Sequence, residues 1–117
     1  MSTPLYQLKA EFFKTLGHPA RIRILELLSQ GERSVSELQP EVGLEASHLS
    51  QQLGVLRRAG VVVGTKQGNS VIYSMASPEM AELLAVARRV LTGLLNEQAV
   101  LLKDLKASGR AAARRAG

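Results

Sequence analysis

The sequence predicts a mainly helical protein with one small β-hairpin, in the order α-α-α-α-β-β-α. Three observations predict it. Through residues 5–58, apolar residues recur at helical spacing in short blocks broken by Gly and Pro. After Gly60 the period changes, and "VVVGTK" and "SVIYSM" form β-branched runs around "QGN". From Met80 a single apolar stripe, spaced alternately four and three, continues to Leu105.

Composition sets limits on what such a chain can be. At 117 residues it suits one domain with a modest core. Two Phe, two Tyr and no Trp leave that core to Leu, Val, Ile and Ala. The absence of cysteine excludes disulfides, thiol redox sensing and thiolate metal sites. No run approaches the roughly 20 apolar residues of a membrane span. The start "MSTPLYQLKAEFF" lacks a signal peptide's apolar region, so a soluble, cytoplasmic protein without a membrane partner is expected. Of the net charge of +5, three units come from Arg110, Arg114 and Arg115 in the tail "GRAAARRAG". The folded part is therefore only mildly basic, which supports a nucleic-acid partner without establishing one.

The elements follow in order. Leu5, Leu8, Phe12 and Leu16 make an amphipathic first helix ending near Gly17. Pro19 suits the first position of a second helix, with Ile22, Leu25 and Leu28 as its buried stripe and Gly31 beyond its end. "SVSE" is a capping box, in which Ser34 accepts from an early amide and Glu37 reaches back. Pro40 and Gly43 allow that third helix little length. "LEASHLSQQLGVLRRAG" carries the fourth helix to about Arg58, with Gly60 just past its end. The hairpin comes next. Ser77 caps and Pro78 opens a last helix running to about Ala107. Residues 1–107 are expected to form the domain, and 108–117 a basic, disordered tail that serves equally well as a solubilising end. A short helix, a tight turn, a second helix and a two-stranded ribbon together make a winged helix-turn-helix.

On the fourth helix, Leu49, Leu53 and Leu56 share one sector flanked by Ala46, and Ser47, Gln51, Gly54 and Arg58 lie almost opposite. His48 and Ser50 flank this polar stripe, and Gln52 lies nearer the core edge. An ordinary solvated face would carry more Glu and Lys. Gln can pair with adenine, Ser can meet a base edge or phosphate, and Arg can reach guanine or phosphate. Gly54 projects nothing, which would let the backbone approach DNA closely. Lys66, Gln67, Asn69 and Ser70 surround the hairpin tip, where they could touch phosphates or the minor groove.

"FFKTLGHPARIRILELL", "SVSELQPEVGLEASHLSQQLGVLRRAGVV" and "KQGNSVIYSM" resemble the ArsR/SmtB family of bacterial winged-helix regulators over about residues 5–105. The resemblance implies a homodimer that binds operator DNA, usually as a repressor released by a metal or another signal. It places DNA contacts at Ser47, His48, Ser50, Gln51 and the hairpin tip. Two departures stand out: Glu45 replaces the Ser that opens this helix in many relatives, and Gln52 replaces a His. Glu45 is an inferior cap whose charge would repel phosphate.

The stripe of Met80, Leu84, Ala87, Leu91, Leu94, Gln98, Leu101 and Leu105 is too long for one small domain to cover. A dimer interface through Leu84, Leu91, Leu94 and Leu101 is therefore expected, joined by Leu5, Leu8 and Phe12 of the first helix, which pairs subunits in the resembled family. A two-fold dimer would place two recognition helices about 34 Å apart on a partly palindromic site.

The family's familiar metal sites are absent, because there is no cysteine and the last helix has no histidine. His18 and His48 are the remaining nitrogen donors, His18 better placed to cap a helix and His48 on the DNA face. The cofactor or effector stays open between a nonstandard metal site, a small molecule between the long helices, a partner protein and none. No nucleophile-and-base pair, phosphate loop or catalytic carboxylate pair is present, so an enzyme is not expected. Two other readings remain: a protein-interaction module using the long helix, and a nonspecific nucleoid protein.

Overall fold

The computed structural model describes residues 2–116, with side chains to residue 109. It contains α1 (Leu5–Leu16), α2 (Pro19–Leu28), β1 (Arg33–Ser34), α3 (Val35–Val42), α4 (Ala46–Arg58), β2 (Val62–Gln67), β3 (Ser70–Met75) and α5 (Pro78–Ala116). Met1–Glu82 form one compact unit and Leu83–Gly117 a second.

In the first unit, α2, α3 and α4 supply the fully buried side chains: Ile24, Leu25, Leu38, Leu49, Leu53 and Leu56. Leu16, Leu27, Leu28, Val61, Val62, Tyr73 and Met80 surround them. The stripe expected on α2 is corrected here. Ile24 and Leu27 are buried with Leu25 and Leu28, whereas Ile22 is only half-buried. The residues 24–25 and 27–28 pair across one turn, which gives α2 a wider apolar face than a spacing of three suggests. Ala46, expected beside the core face of α4, is exposed.

Local signals fix the element ends. His18 caps α2, its Nδ1 accepting from the Ala20 N–H at 3.2 Å. The capping box at α3 is complete: the Ser34 hydroxyl accepts from the Glu37 N–H, and the Glu37 carboxylate accepts from the Ser34 N–H. Gly43, at φ 78°, ends α3 in a left-handed turn, so only Gly43–Glu45 separate α3 from α4. At the other end of α4, Val61 N–H donates to the Leu56 carbonyl and Gly60 N–H to that of Arg57. With Gly60 at φ 76° this is a Schellman motif, and it sets the direction in which the chain leaves for the wing.

The wing is a hairpin with Val62 paired to Met75 and Gln67 to Ser70. Gly68 (φ 61°) and Asn69 form its two-residue turn, with the glycine first as in a II′ turn. β1 adds a third strand, in the order β1-β3-β2, pairing Arg33 with Tyr73 and Ser34 with Ile72. Two residues carry no periodicity, so β1 had no sequence signature. Gly64 faces Tyr73, and a Cβ there would meet the Tyr73 ring at 3.1 Å. The missing side chain leaves room for that ring.

α5 begins at Pro78 as expected, but Ser77 contributes its carbonyl, which accepts from the Met80 N–H at 3.3 Å, rather than a side-chain cap. The helix continues to Ala116, beyond the end expected near Ala107. Ala107, Ala111, Ala112, Ala113 and Ala116 explain the extension, alanine being the strongest helix former. The side chains of the arginine-bearing tail from residue 110 lie outside the described residues. Among the described residues, no helix is long and apolar enough to cross a membrane.

Candidate nucleic-acid interface

α4 presents two unlike faces. Leu49, Leu53 and Leu56 are fully buried, while Ser47, His48, Ser50, Gln51, Arg57 and Arg58 are exposed. Nothing in the helix interior interrupts this division, because every buried position falls on the three-four repeat. Glu45 stands at the N-cap and makes no side-chain capping bond. The first amides of α4 thus keep their donors for another partner.

The polar stripe is unspent. Among the described residues, no hydrogen bond or ion pair within the chain engages the side chains of Ser47, His48, Ser50, Gln51 or Arg58. The same holds for Lys66, Gln67 and Asn69, all exposed at the wing tip. Some polar side chains elsewhere are committed: Ser34 to Glu37, Arg21 to Gln52, and Arg33 to Gln30.

Gly54 has a neighbour on its own helix. A Cβ at that position would lie 3.1 Å from Nη1 of Arg58. The Arg58 guanidinium, one turn further on, lies back over the glycine. Gln52 is half-buried, and its amide oxygen accepts from Nε of Arg21 at 2.7 Å.

A cleft of about 410 Å³, of mixed polar and apolar lining, joins the start of α3, α4 and the wing. Ser50 and Asn69, both expected at the interface, line it together with Ser34, Ser36, Gln39 and Ser70. Ser36 and Gln39 were not singled out from the sequence. Their only signal was their place on the first helix of the helix-turn-helix.

His18 is engaged through Nδ1 in its helix cap, and His48 is exposed on α4. Among the described residues, no group of three or more His, Asp and Glu side chains converges as a metal site would require. Leu5 and Leu8 are exposed and Phe12 is half-buried on α1. Along α5, Leu84 is half-buried, and Leu91, Leu94 and Leu101 are roughly half or more exposed, at 58%, 48% and 59%.

Comparison with known proteins identifies the fold and the family. A family profile described as "Bacterial regulatory protein, arsR family" matches residues 18–63, from the α2 cap through α4 into the wing. The uncharacterized HTH-type transcriptional regulator Rv0081 of Mycobacterium tuberculosis is 65% identical over 94% of this chain and 97% of its own. Its crystal structure superposes with a TM-score of 0.78 at 67% identity, covering 83% of this chain and 98% of that one. The homodimeric winged helix-turn-helix DNA-binding domain of Mb0332 from Mycobacterium bovis gives a TM-score of 0.72 at 30% identity, over 80% and 86% of the two chains. The transcriptional repressor BigR from Xylella fastidiosa gives 0.68 at 34% identity, over 73% and 87%. The chain belongs to the ArsR family of bacterial regulatory proteins: it is a winged helix-turn-helix, DNA-binding transcriptional regulator and not an enzyme.

Proposed function

We propose that the protein is a homodimeric repressor that reads a partly palindromic operator with α4 and steadies itself on the duplex with its wing. The observation that carries this reading is the exposed, uncommitted stripe of Ser47, His48, Ser50, Gln51 and Arg58 on a helix whose opposite face is fully buried. In the major groove, Gln51 and Arg58 would meet base edges, and Ser47, His48 and Ser50 would meet bases or phosphates. Lys66, Gln67 and Asn69 would contact the backbone or minor groove and set register. Leu5, Leu8 and Phe12 of α1 and Leu84, Leu91, Leu94 and Leu101 of α5 form the dimer seam in this proposal. The exposure of Leu5, Leu8, Leu91, Leu94 and Leu101 leaves apolar surface that a second copy would remove from water. The homodimeric Mb0332 domain and the repressor BigR support the same assembly and sign of regulation. Residues 1–107 then act as the DNA-binding and dimerisation domain, with 108–117 as a basic appendage. The protein works in the cytoplasm, on the nucleoid when bound.

Selection of duplexes from a random pool tests the proposal. The selected sites should contain two inverted half-sites with centres about 34 Å apart. Selection of no common sequence would overturn it. The exposed α5 face would then favour a protein-interaction module.

A further inference from the structure

Arg21 occupies a singular place in the first unit. From α2 it donates through Nε to the Gln52 side chain on α4 at 2.7 Å, and through Nη1 to the Thr15 carbonyl in the last turn of α1 at 2.9 Å. Among the described residues, Arg21–Gln52 is the one side-chain hydrogen bond that spans a long sequence separation, 31 residues. The other side-chain bonds join residues two to six positions apart. Arg21 is half-buried and has no carboxylate within ion-pair distance; the one ion pair among the described residues is Arg23–Glu41.

A partly desolvated cation held by two neutral acceptors is a costly way to gain stability alone. Its geometry has another consequence. A guanidinium only donates, so the Gln52 amide must turn its oxygen toward it, which orients a side chain next to the DNA-reading Gln51. The rigid fork serves two acceptors on two elements at once, which a lysine ammonium on a flexible stem would do less sharply. The Thr15 carbonyl lies at the negative end of the α1 dipole, where a cation is favoured. At the other end of α1, Leu5, Tyr6 and Leu8 are exposed, so its C-terminal turn is where this helix is anchored, with Leu16 buried there.

We infer that Arg21 is a positioning residue that locks the recognition helix α4 to the end of the dimerisation helix α1, so that the spacing of the two recognition helices is held by a polar strut. The inference rests on the assignment of α1 to the dimer seam and of α4 to DNA. In a two-fold dimer, any rotation of α4 about α1 is doubled across the operator. The strut therefore acts on half-site spacing rather than on the identity of the bases read.

The test uses the whole 117-residue chain, whose lack of cysteine allows clean labelling. Spin labels at Lys9→Cys on α1 and Arg57→Cys on α4, in labelled chains diluted into unlabelled excess, report the α1–α4 distance without DNA. Gln52→Met removes the acceptor at nearly constant volume, Arg21→Lys keeps the charge and loses the fork, and Gln52→Glu keeps an acceptor. The distance distribution should be narrow in the parent and in Gln52→Glu, and broad in Gln52→Met and Arg21→Lys. Affinity for the selected operator should fall about tenfold in each broadened variant, and the double variant should fall no further, as coupled neighbours do. Moving the half-sites one base pair apart should penalise the parent more than Gln52→Met. Unchanged distance distributions would overturn the inference whatever the DNA results. Broadened distributions in a protein that selects no operator would support the strut and refute the DNA reading. Equal losses on all spacings with unchanged distances would reduce Gln52 to an ordinary surface contact.

Discussion

At the scale of single residues, the proposed interface divides into side chains that would specify and side chains that would attach. Gln51 and Ser47 lie on the exposed α4 stripe with their hydrogen-bonding capacity unspent. Gln51→Ala should weaken operator binding by about tenfold or more, since a good base contact discriminates by about 1–3 kcal/mol, and Ser47→Ala somewhat less. Both should leave unrelated duplex binding and the dimer intact, as read by fluorescence anisotropy and sedimentation. Lys66→Ala should instead weaken all duplexes alike and lower the salt slope by about one. Ser34 and Glu37 belong to stability. Glu37 is held below the ordinary carboxylate range by the Ser34 N–H first and the Ser34 hydroxyl second, with Arg33's charge helping and desolvation opposing. Because the folded group is the stronger acid, its contribution is complete above the unfolded carboxylate's pKa. It is lost as pH falls through the lower folded value. Ser34→Ala should cost about 1 kcal/mol at neutral pH, lowering Tm by about 4–8 °C, and calorimetry should find that gap narrowing in acid.

At the scale of elements, what could be read from sequence depended on how much pattern each element carried. α1, α4 and α5 have enough turns for an apolar stripe to repeat, and their starting points were legible to within a residue. α3 is only eight residues long, and its capping box located it. Gly43, Gly60 and Gly68 were legible because each takes a positive φ that other residues avoid. β1 was not legible, because two residues show no alternation and its pairing with β3 depends on strands nearly forty residues later. The exposed stripe of α4 could be read from its wheel. The use of Gln52 could not, because it depends on Arg21, an arginine of another helix whose reach is set by the fold. Gly60→Ala should destabilise the α4–wing corner by more than the roughly 1 kcal/mol of a glycine's chain entropy, because alanine is strained at φ 76°. Chemical denaturation would measure it.

At the scale of the whole molecule, the second unit carries a long run of exposed apolar side chains. Leu91, Leu94, Leu95, Val100, Leu101, Leu102 and Leu105 are each about half exposed or more along the second unit. Leu91→Glu should give monomers or a sharp rise in the dimer dissociation constant by sedimentation, and with it a loss of operator affinity. A normal dimer from that variant would place the seam elsewhere. The two properties are coupled because two half-sites read together bind far more tightly than one.

The central claim, that α4 reads a specific site, is tested most directly by fluorescence anisotropy at near-physiological salt. The purified protein would be titrated onto DNA recovered by selection and onto an unrelated duplex of equal length. The expected result is a preference of about a thousandfold or more for the selected site, lost in the Gln51→Ala, Ser47→Ala double variant while the dimer persists. Equal affinity for both duplexes, or full preference retained by that variant, would contradict the claim.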